Sequence, residues 1–216
     1  MCDPSVRRYG KTLWAIPSEQ KEKMENFMKL STGVDTTPLM LAIKRNPDLW
    51  KADTYLRDYP QGPFGEIESI ILRFPEKRVF EQEKELEAYK RGESKFDQHE
   101  SIDHPPYRFL TEARPMVMNL MAYVGGERLG RVIINKIKPG GRIYPHPDTP
   151  EHANYWDRFH IVLKSSPGVV FRCENEQVYM ATGEVWWFQN ALMHEVINNS
   201  NDERIHMVVD IKTRKC

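Results

Sequence analysis

His146 and Asp148 stand two residues apart in the run Tyr144-Pro145-His146-Pro147-Asp148. In an extended chain this spacing sends an imidazole and a carboxylate to the same face. A second imidazole, His194, follows the strand-like run Gly183-Glu184-Val185-Trp186-Trp187-Phe188 and lies in Asn190-Ala191-Leu192-Met193-His194-Glu195, which reads as a strand boundary where a side chain is displayed into a barrel mouth. Two neutral imidazoles and one carboxylate, arranged as His-x-Asp and a distant His, make the facial triad that holds one face of an Fe(II) octahedron and leaves three adjacent positions open. Open positions are what O2 and a chelating co-substrate need. The acidic neighbours Glu184 and Glu195 are expected to face solvent or to support the site, not to ligate.

Ten residues past His194, Arg204 opens the apolar run Arg204-Ile205-His206-Met207-Val208-Val209-Asp210. As a strand this run aims Arg204, His206 and Val208 at one face and Ile205, Met207 and Val209 at the other. A cation on the buried face of such a strand needs an anion. The run Arg158 to Leu163 alternates in the same way, with Arg158, His160 and Val162 against Phe159, Ile161 and Leu163. Read alone, His160 is a satisfied core histidine.

With Pro145-His146 and Asp148, Arg158 to Leu163, Phe171-Arg172-Cys173, Gly183 to Phe188, His194 and Arg204 to Asp210 in this order, the sequence resembles the aspartyl/asparaginyl β-hydroxylase family of Fe(II)/2-oxoglutarate oxygenases, from about Glu66 to Lys212. The resemblance implies a double-stranded β-helix, a cupin-like jelly roll of two four-stranded sheets. It implies Fe(II) on His146, Asp148 and His194, and 2-oxoglutarate with its distal carboxylate on Arg204. Arg158 and His160 would hold the keto-acid end, Asn135 and His206 would complete the co-substrate site, and O2 would be the oxidant. The product expectation is a hydroxylated C–H bond, with succinate and CO2 released. Animal peptide hydroxylases of the family keep a glycine where this chain has Asp148, so the chain is more similar to bacterial members, such as the cis-4-proline hydroxylases acting on a free amino acid, and to short phage-encoded relatives. Asp148 also argues against a halogenase, which needs that coordination position free for a halide. Two other classes share the ligands: a non-catalytic metal-binding cupin, which would not require Arg204 or Arg158 on the inner face, and a metal-dependent isomerase, which would add a further ligand and consume no O2.

The elements that must position these groups are legible in part. A mainly β chain with flanking helices (α+β) is expected, with residues 1–62 a helical segment packed on the core and 63–216 the oxygenase core, one domain overall. Pro17-Ser18 caps a helix over Glu19 to Leu30, with Met24, Phe27 and Met28 at helical spacing. Pro38 and Pro47 open two further short helices. Glu66 to Phe74 reads as a strand, Arg78 to Arg91 as a solvated helix or excursion, and Thr111 to Val124 as a helix with Met116, Val117, Leu120, Met121 and Val124 on one face. Leu129 to Ile137 is a strand with Asn135 facing as Ile133 and Ile137 do, and Lys138-Pro139-Gly140-Gly141 a tight turn. Ser166-Pro167-Gly168, Glu174-Asn175-Glu176, Ala181-Thr182-Gly183 and Asn198 to Asn201 divide the remainder into short strands, the pattern of a sandwich or barrel.

Substrate contacts are expected in loops. Thr149 to Asp157, with His152, Tyr155 and Trp156, reads as a loop over the metal. The segment Asp97 to Pro106, with His99, has the residue types of a second metal site without a ligand spacing, and reads instead as a loop at the substrate mouth. Tyr144 completes the candidate substrate residues.

Lys plus Arg and Asp plus Glu number 31 each in 216 residues. A neutral chain lacks the basic excess of a nucleic-acid binder, so a small molecule or protein side chain is the expected substrate and a nucleobase the alternative. No apolar run approaches a membrane span, Met1-Cys2-Asp3-Pro4 lacks a signal-peptide core, and the three cysteines are scattered. The expected location is a reducing cytoplasm, bacterial or that of a host if phage-encoded.

Overall fold

A computed structural model describes residues 24–58, 62–76, 81–94 and 96–214. Two antiparallel sheets face each other. The larger has seven strands in the order β1-β9-β6-β11-β4-β2-β3 and the smaller four in the order β5-β10-β7-β8. In chain order these are β1 (Phe27–Ser31), β2 (Ile67–Phe74), β3 (Ile102–Asp103), β4 (Gly126–Ile137), β5 (Arg142–His146), β6 (Asp157–Lys164), β7 (Val169–Cys173), β8 (Glu176–Val178), β9 (Val185–Phe188), β10 (His194–Asn198) and β11 (Arg204–Thr213). The jelly roll implied by the resemblance is present, but not as two four-stranded sheets. Its larger sheet is extended by β1 on the β9 edge and by β2 and β3 on the β4 edge.

The helices are α1 (Thr37–Arg45), α2 (Tyr55–Asp58), α3 (Glu83–Lys90), α4 (Ala113–Tyr123) and α5 (Pro150–Tyr155). α1 follows from its sequence: Pro38 fits the first turn, Leu39, Ala42 and Ile43 form one buried stripe, and Asn46, preceding Pro47, ends it. Pro47–Lys51 is a single tighter helical turn. No helix among the described residues is long and apolar enough to cross a membrane.

The helix expected over Glu19 to Leu30 is corrected where the structure describes it, and residues 19–23 lie outside the described residues. Phe27–Ser31 is a strand that pairs with β9, Phe27 opposite Phe188. Only Phe27 of the five is buried, so the residues carry little face pattern and pairing with an available edge decides their conformation.

Strand alternation gives the larger sheet two different faces. Val132 and Ile134 of β4, Phe159 and Ile161 of β6, and Met207 and Val209 of β11 pack with Leu39, Ile43, Val117 and Leu120 of α1 and α4. The opposite face meets the smaller sheet through a smaller apolar layer that includes Ile137, Val162, Phe171, Phe188 and Val196. The helix-covered layer supplies most of the burial that holds the sheet, about 1.5–3 kcal/mol for each large side chain. That leaves the inter-sheet layer free to carry polar groups.

The turn into β5 depends on glycine. Gly140 has φ +78°, its amide donates to Asn198 O at 2.8 Å, and the Gly141 amide donates to Lys138 O at 2.9 Å. Gly130 in β4 lacks a side chain for another reason. A Cβ there would lie 2.9 Å from Cη2 of Trp156, whose ring fills that space.

Candidate active site

β5 and β10 are neighbours, and their register sets His146 opposite His194. The two ring centroids are 4.4 Å apart. Asp148 lies just beyond β5, held by its amide donating to Asn190 O at 3.0 Å. One ligand atom from each of His146, Asp148 and His194 lies within 4.8 Å of the others, the one such metal-capable group among the described residues.

Both imidazoles are oriented by backbone. His146 Nδ1 lies 2.7 Å from Tyr144 O and His194 Nδ1 lies 2.9 Å from Leu192 O. A carbonyl oxygen only accepts, so each Nδ1 carries the proton and each Nε2 lone pair is free for a metal. Burial lowers the pKa of both rings. His194 falls to about 4, through burial first and His146 second, so both rings are neutral at physiological pH, as ligation requires.

Asp148 is kept ionised. Burial alone would raise its pKa, but Arg158 Nη1 donates to Oδ2 at 2.7 Å and Asn190 Nδ2 donates to Oδ2 at 2.8 Å, and the net shift is downward. Arg158 in turn donates through Nε to Asp210 Oδ1 at 2.8 Å and through Nη2 to Asp210 Oδ2 at 3.1 Å. His152 Nε2 closes the cluster, 3.0 Å from Asp210 Oδ2. The Arg158 guanidinium, expected at the keto-acid end of a co-substrate, therefore has all three nitrogens bonded to Asp148 and Asp210.

The other end of the same sheet face is different. Arg204 is 1 % exposed, its Nη2 donates to His206 Nδ1 at 2.8 Å, and its Nε and Nη1 are buried without a hydrogen-bond partner among the described residues. Accepting from Arg204 leaves the His206 proton on Nε2, which is also buried without a hydrogen-bond partner among the described residues. His160 Nδ1 sits 3.2 Å from His206 Nδ1. Burial first, then the Arg204 charge, pushes both histidines well below the ordinary imidazole pKa. Burial alone lowers Arg204 to about 9, with no carboxylate to offset it. Asn135 stands opposite His206 on β4 and accepts from Ser69 Oγ at 2.8 Å. Three buried donors here lack an acceptor among the described residues. The anion required by a buried cation is not part of the described protein.

The substrate candidates separate. Thr149 to Asp157 is not the expected loop, because Pro150–Tyr155 forms α5, with Pro150 in its first turn. Within it His152 is buried against Asp210, and Trp156 is buried against β4. His99 stacks on Tyr155 at 3.6 Å between centroids and joins His152 and Trp156 in one cleft. Tyr144 does not line that cleft, and its hydroxyl donates to Glu66. Its carbonyl, not its ring, serves the site. Glu184 holds Lys29 and Trp186, and Glu195 holds Arg142, so neither belongs to the metal-capable group.

Two site residues escaped the sequence reading. Asp210 was legible in principle, since a carboxylate on the Arg204–His206–Val208 face of an apolar strand needs a buried cation. Asn190 had no signal, because a polar residue before a strand is ordinary.

A family model described as Aspartyl/Asparaginyl beta-hydroxylase matches residues 106–214. Among solved structures, the chain is similar to a 2OG-Fe(II) oxygenase family oxidoreductase from Burkholderia pseudomallei, at 15 % identity over 79 % of this chain and 78 % of that one, TM-score 0.49. It is also similar to a prolyl-4-hydroxylase from Pseudomonas putida, at 12 % identity over 88 % and 94 %, TM-score 0.41. A cupin domain from Bordetella pertussis matches at 19 % identity over 40 % and 85 %, TM-score 0.33. The family match covers half of the chain, includes β4 to β11 and contains His146, Asp148, His194 and Arg204; the chain belongs to the aspartyl/asparaginyl β-hydroxylase family.

Proposed function

We propose that this protein is an Fe(II)- and 2-oxoglutarate-dependent dioxygenase that hydroxylates a C–H bond of an amino acid or a protein side chain. The observation that carries the reading is Arg204, a buried cation with no anion, on the sheet face that also carries the Arg158 grip on Asp148. A metal-binding protein without a co-substrate has no use for that cation.

The donor set fits the groups. Two Nε2 lone pairs and one carboxylate suit ferrous iron with open positions. The Arg204 guanidinium with the His206 Nε2–H fits a carboxylate, the distal one of 2-oxoglutarate, through charge-assisted bonds. When bound, the iron and 2-oxoglutarate supply oxidative decarboxylation to succinate and CO2, with one atom of O2 entering succinate and the other the substrate C–H bond. His146 and His194 hold the metal as neutral donors, Arg158 and Asn190 hold Asp148 as an anion, and Phe171 and Phe188 pack about His194 and exclude water. The neutral net charge supports a small or protein substrate over a nucleobase.

The test is iron content and succinate formation. Purified protein is expected to bind one Fe(II) per chain and to release succinate from 2-oxoglutarate, and His194→Ala to lose iron. Full iron stoichiometry and turnover in His194→Ala would sink the ligand assignment.

A further inference from the structure

The cleft that gathers His99, His152 and Trp156 has a volume of about 500 Å3 and includes Arg131, Phe74 and Ser101 in its lining. It does not include the triad side chains themselves. Its lining reaches Thr149, the residue after Asp148, and His152, which is bonded to Asp210. The cleft therefore lies on the Asp148 side of the metal-capable group.

Arg131 alternates with Val132 and so shares the β4 face of Ile133, Asn135 and Ile137, the face turned to the smaller sheet. Val208 pairs with Ile133, which puts Arg131 at the Asp210 end of β11, the opposite end from Arg204. β11 separates β4 from β6, so Arg131 and Arg158 are two strand spacings apart, about 10 Å. Arg131 and Arg204 therefore lie at opposite ends of the β4–β11 pair.

No carboxylate among the described residues pairs with Arg131, whose described contact is the Phe74 ring at 4.9 Å. Nearby arginines differ: Arg73 holds Asp103 at 2.6 Å and Arg128 holds Asp97 at 2.6 Å. Burial lowers the Arg131 pKa from its ordinary value, and Asp210 offsets this only in part. The guanidinium fork matches a carboxylate. Asp210 and Asp148 already act on this cation, which disfavours a dianion such as phosphate.

We propose that Arg131 receives the carboxylate of the prime substrate, a carboxylic acid of amino-acid size whose carbon body lies along Phe74 and Trp156 with its reacting C–H bond toward the triad. The proposal rests on the dioxygenase reading and keeps its balance: substrate C–H, O2 and 2-oxoglutarate become C–OH, succinate and CO2. Arg131 is a substrate-binding residue and takes no part in the oxidation.

The experiment uses the Fe(II)-loaded full chain under anaerobic conditions, with calorimetric titration of 2-oxoglutarate and then of three probe sets: free amino acids, their carboxamides, and blocked peptides with one Asp or Glu. Succinate formation in air is measured in parallel. At least one carboxylate probe is expected to bind and to stimulate succinate release tenfold or more, with its carboxamide inert. Arg131→Gln should raise the KM of that probe at least tenfold while binding 2-oxoglutarate as the parent does, and Arg131→Lys should recover part of the loss. A response confined to blocked peptides and lost in Arg131→Gln keeps the carboxylate and assigns it to a side chain. Equal response to carboxamides, no response to any carboxylate, or an unchanged KM in both variants overturns the proposal. Failure of the parent protein to bind 2-oxoglutarate would instead overturn the dioxygenase reading.

Discussion

Two ends of one sheet face carry buried arginines in opposite circumstances. Arg158 sits between Asp148 and Asp210, every donor engaged. Arg204, six residues from Asp210 on the same strand, has two nitrogens with no partner among the described residues. A buried charge costs several kcal/mol unless it is compensated. The satisfied end is compensated without a ligand and, under the proposed function, would preorganise a metal ligand; the unsatisfied end is held in deficit by the fold and would gain most from a carboxylate.

The largest expected effect comes from breaking the satisfied end. Arg158→Met leaves Asp148 and Asp210 buried without their arginine, with only Asn190 and His152 as partners, and should cost about 3–5 kcal/mol in urea unfolding of the apo protein. Equal urea midpoints for variant and parent would dissolve the contrast. Arg204→Met should do the reverse: apo stability stays level or rises by about 1–3 kcal/mol, because an uncompensated cation is exchanged for an apolar group. The same variant should lose about 2–5 kcal/mol of 2-oxoglutarate affinity by calorimetry while keeping its iron. Next in size, 2-oxoglutarate at a hundred times its Kd should stabilise the iron-loaded parent by about 2.7 kcal/mol. At the same concentration Arg204→Met should gain less than about 1 kcal/mol.

The smallest effect is a pH dependence. Burial would raise Asp210, but Arg158 and His152 hold its carboxyl far below the usual carboxylate range. A lowered folded-state pKa gives stability that is present above the unfolded value of about 4 and lost as pH falls below it. The cost of Asp210→Asn should therefore be about 1 kcal/mol smaller at pH 3 than at pH 6. A constant cost across that range would place the Asp210 stabilisation outside its charge.

How much of this was legible follows from how far each signal reaches along the chain. β6 and β11 alternate so strictly that their buried faces, and with them Arg158, His160, Arg204 and His206, could be assigned from sequence. The triad was legible because His-x-Asp is local and the family resemblance supplied the distant His194. Phe27–Ser31 was not, because an edge strand with one buried residue takes its form from β9, far along the chain. α5 was read as a loop because its polar sequence hides that His152 is buried by Asp210, a contact between distant residues. The pairing of Arg158 with Asp148 has the same origin: spacing gives the face, and only packing gives the partner.

Gly130 bears on the cleft proposed for the substrate although it has no side chain; its carbonyl accepts from Arg73 Nε at 3.3 Å. Trp156 occupies the space a β-carbon would need, and that indole is also a wall of the Arg131 cleft, next to the Tyr155 ring that stacks on His99. This wall of the cleft is thus backed by a hydrogen where other residues carry carbon. A β-carbon at this position would meet the indole at 2.9 Å and one of the two must shift, so under the proposed function a position with no chemistry of its own would bear on the size of molecule the cleft admits.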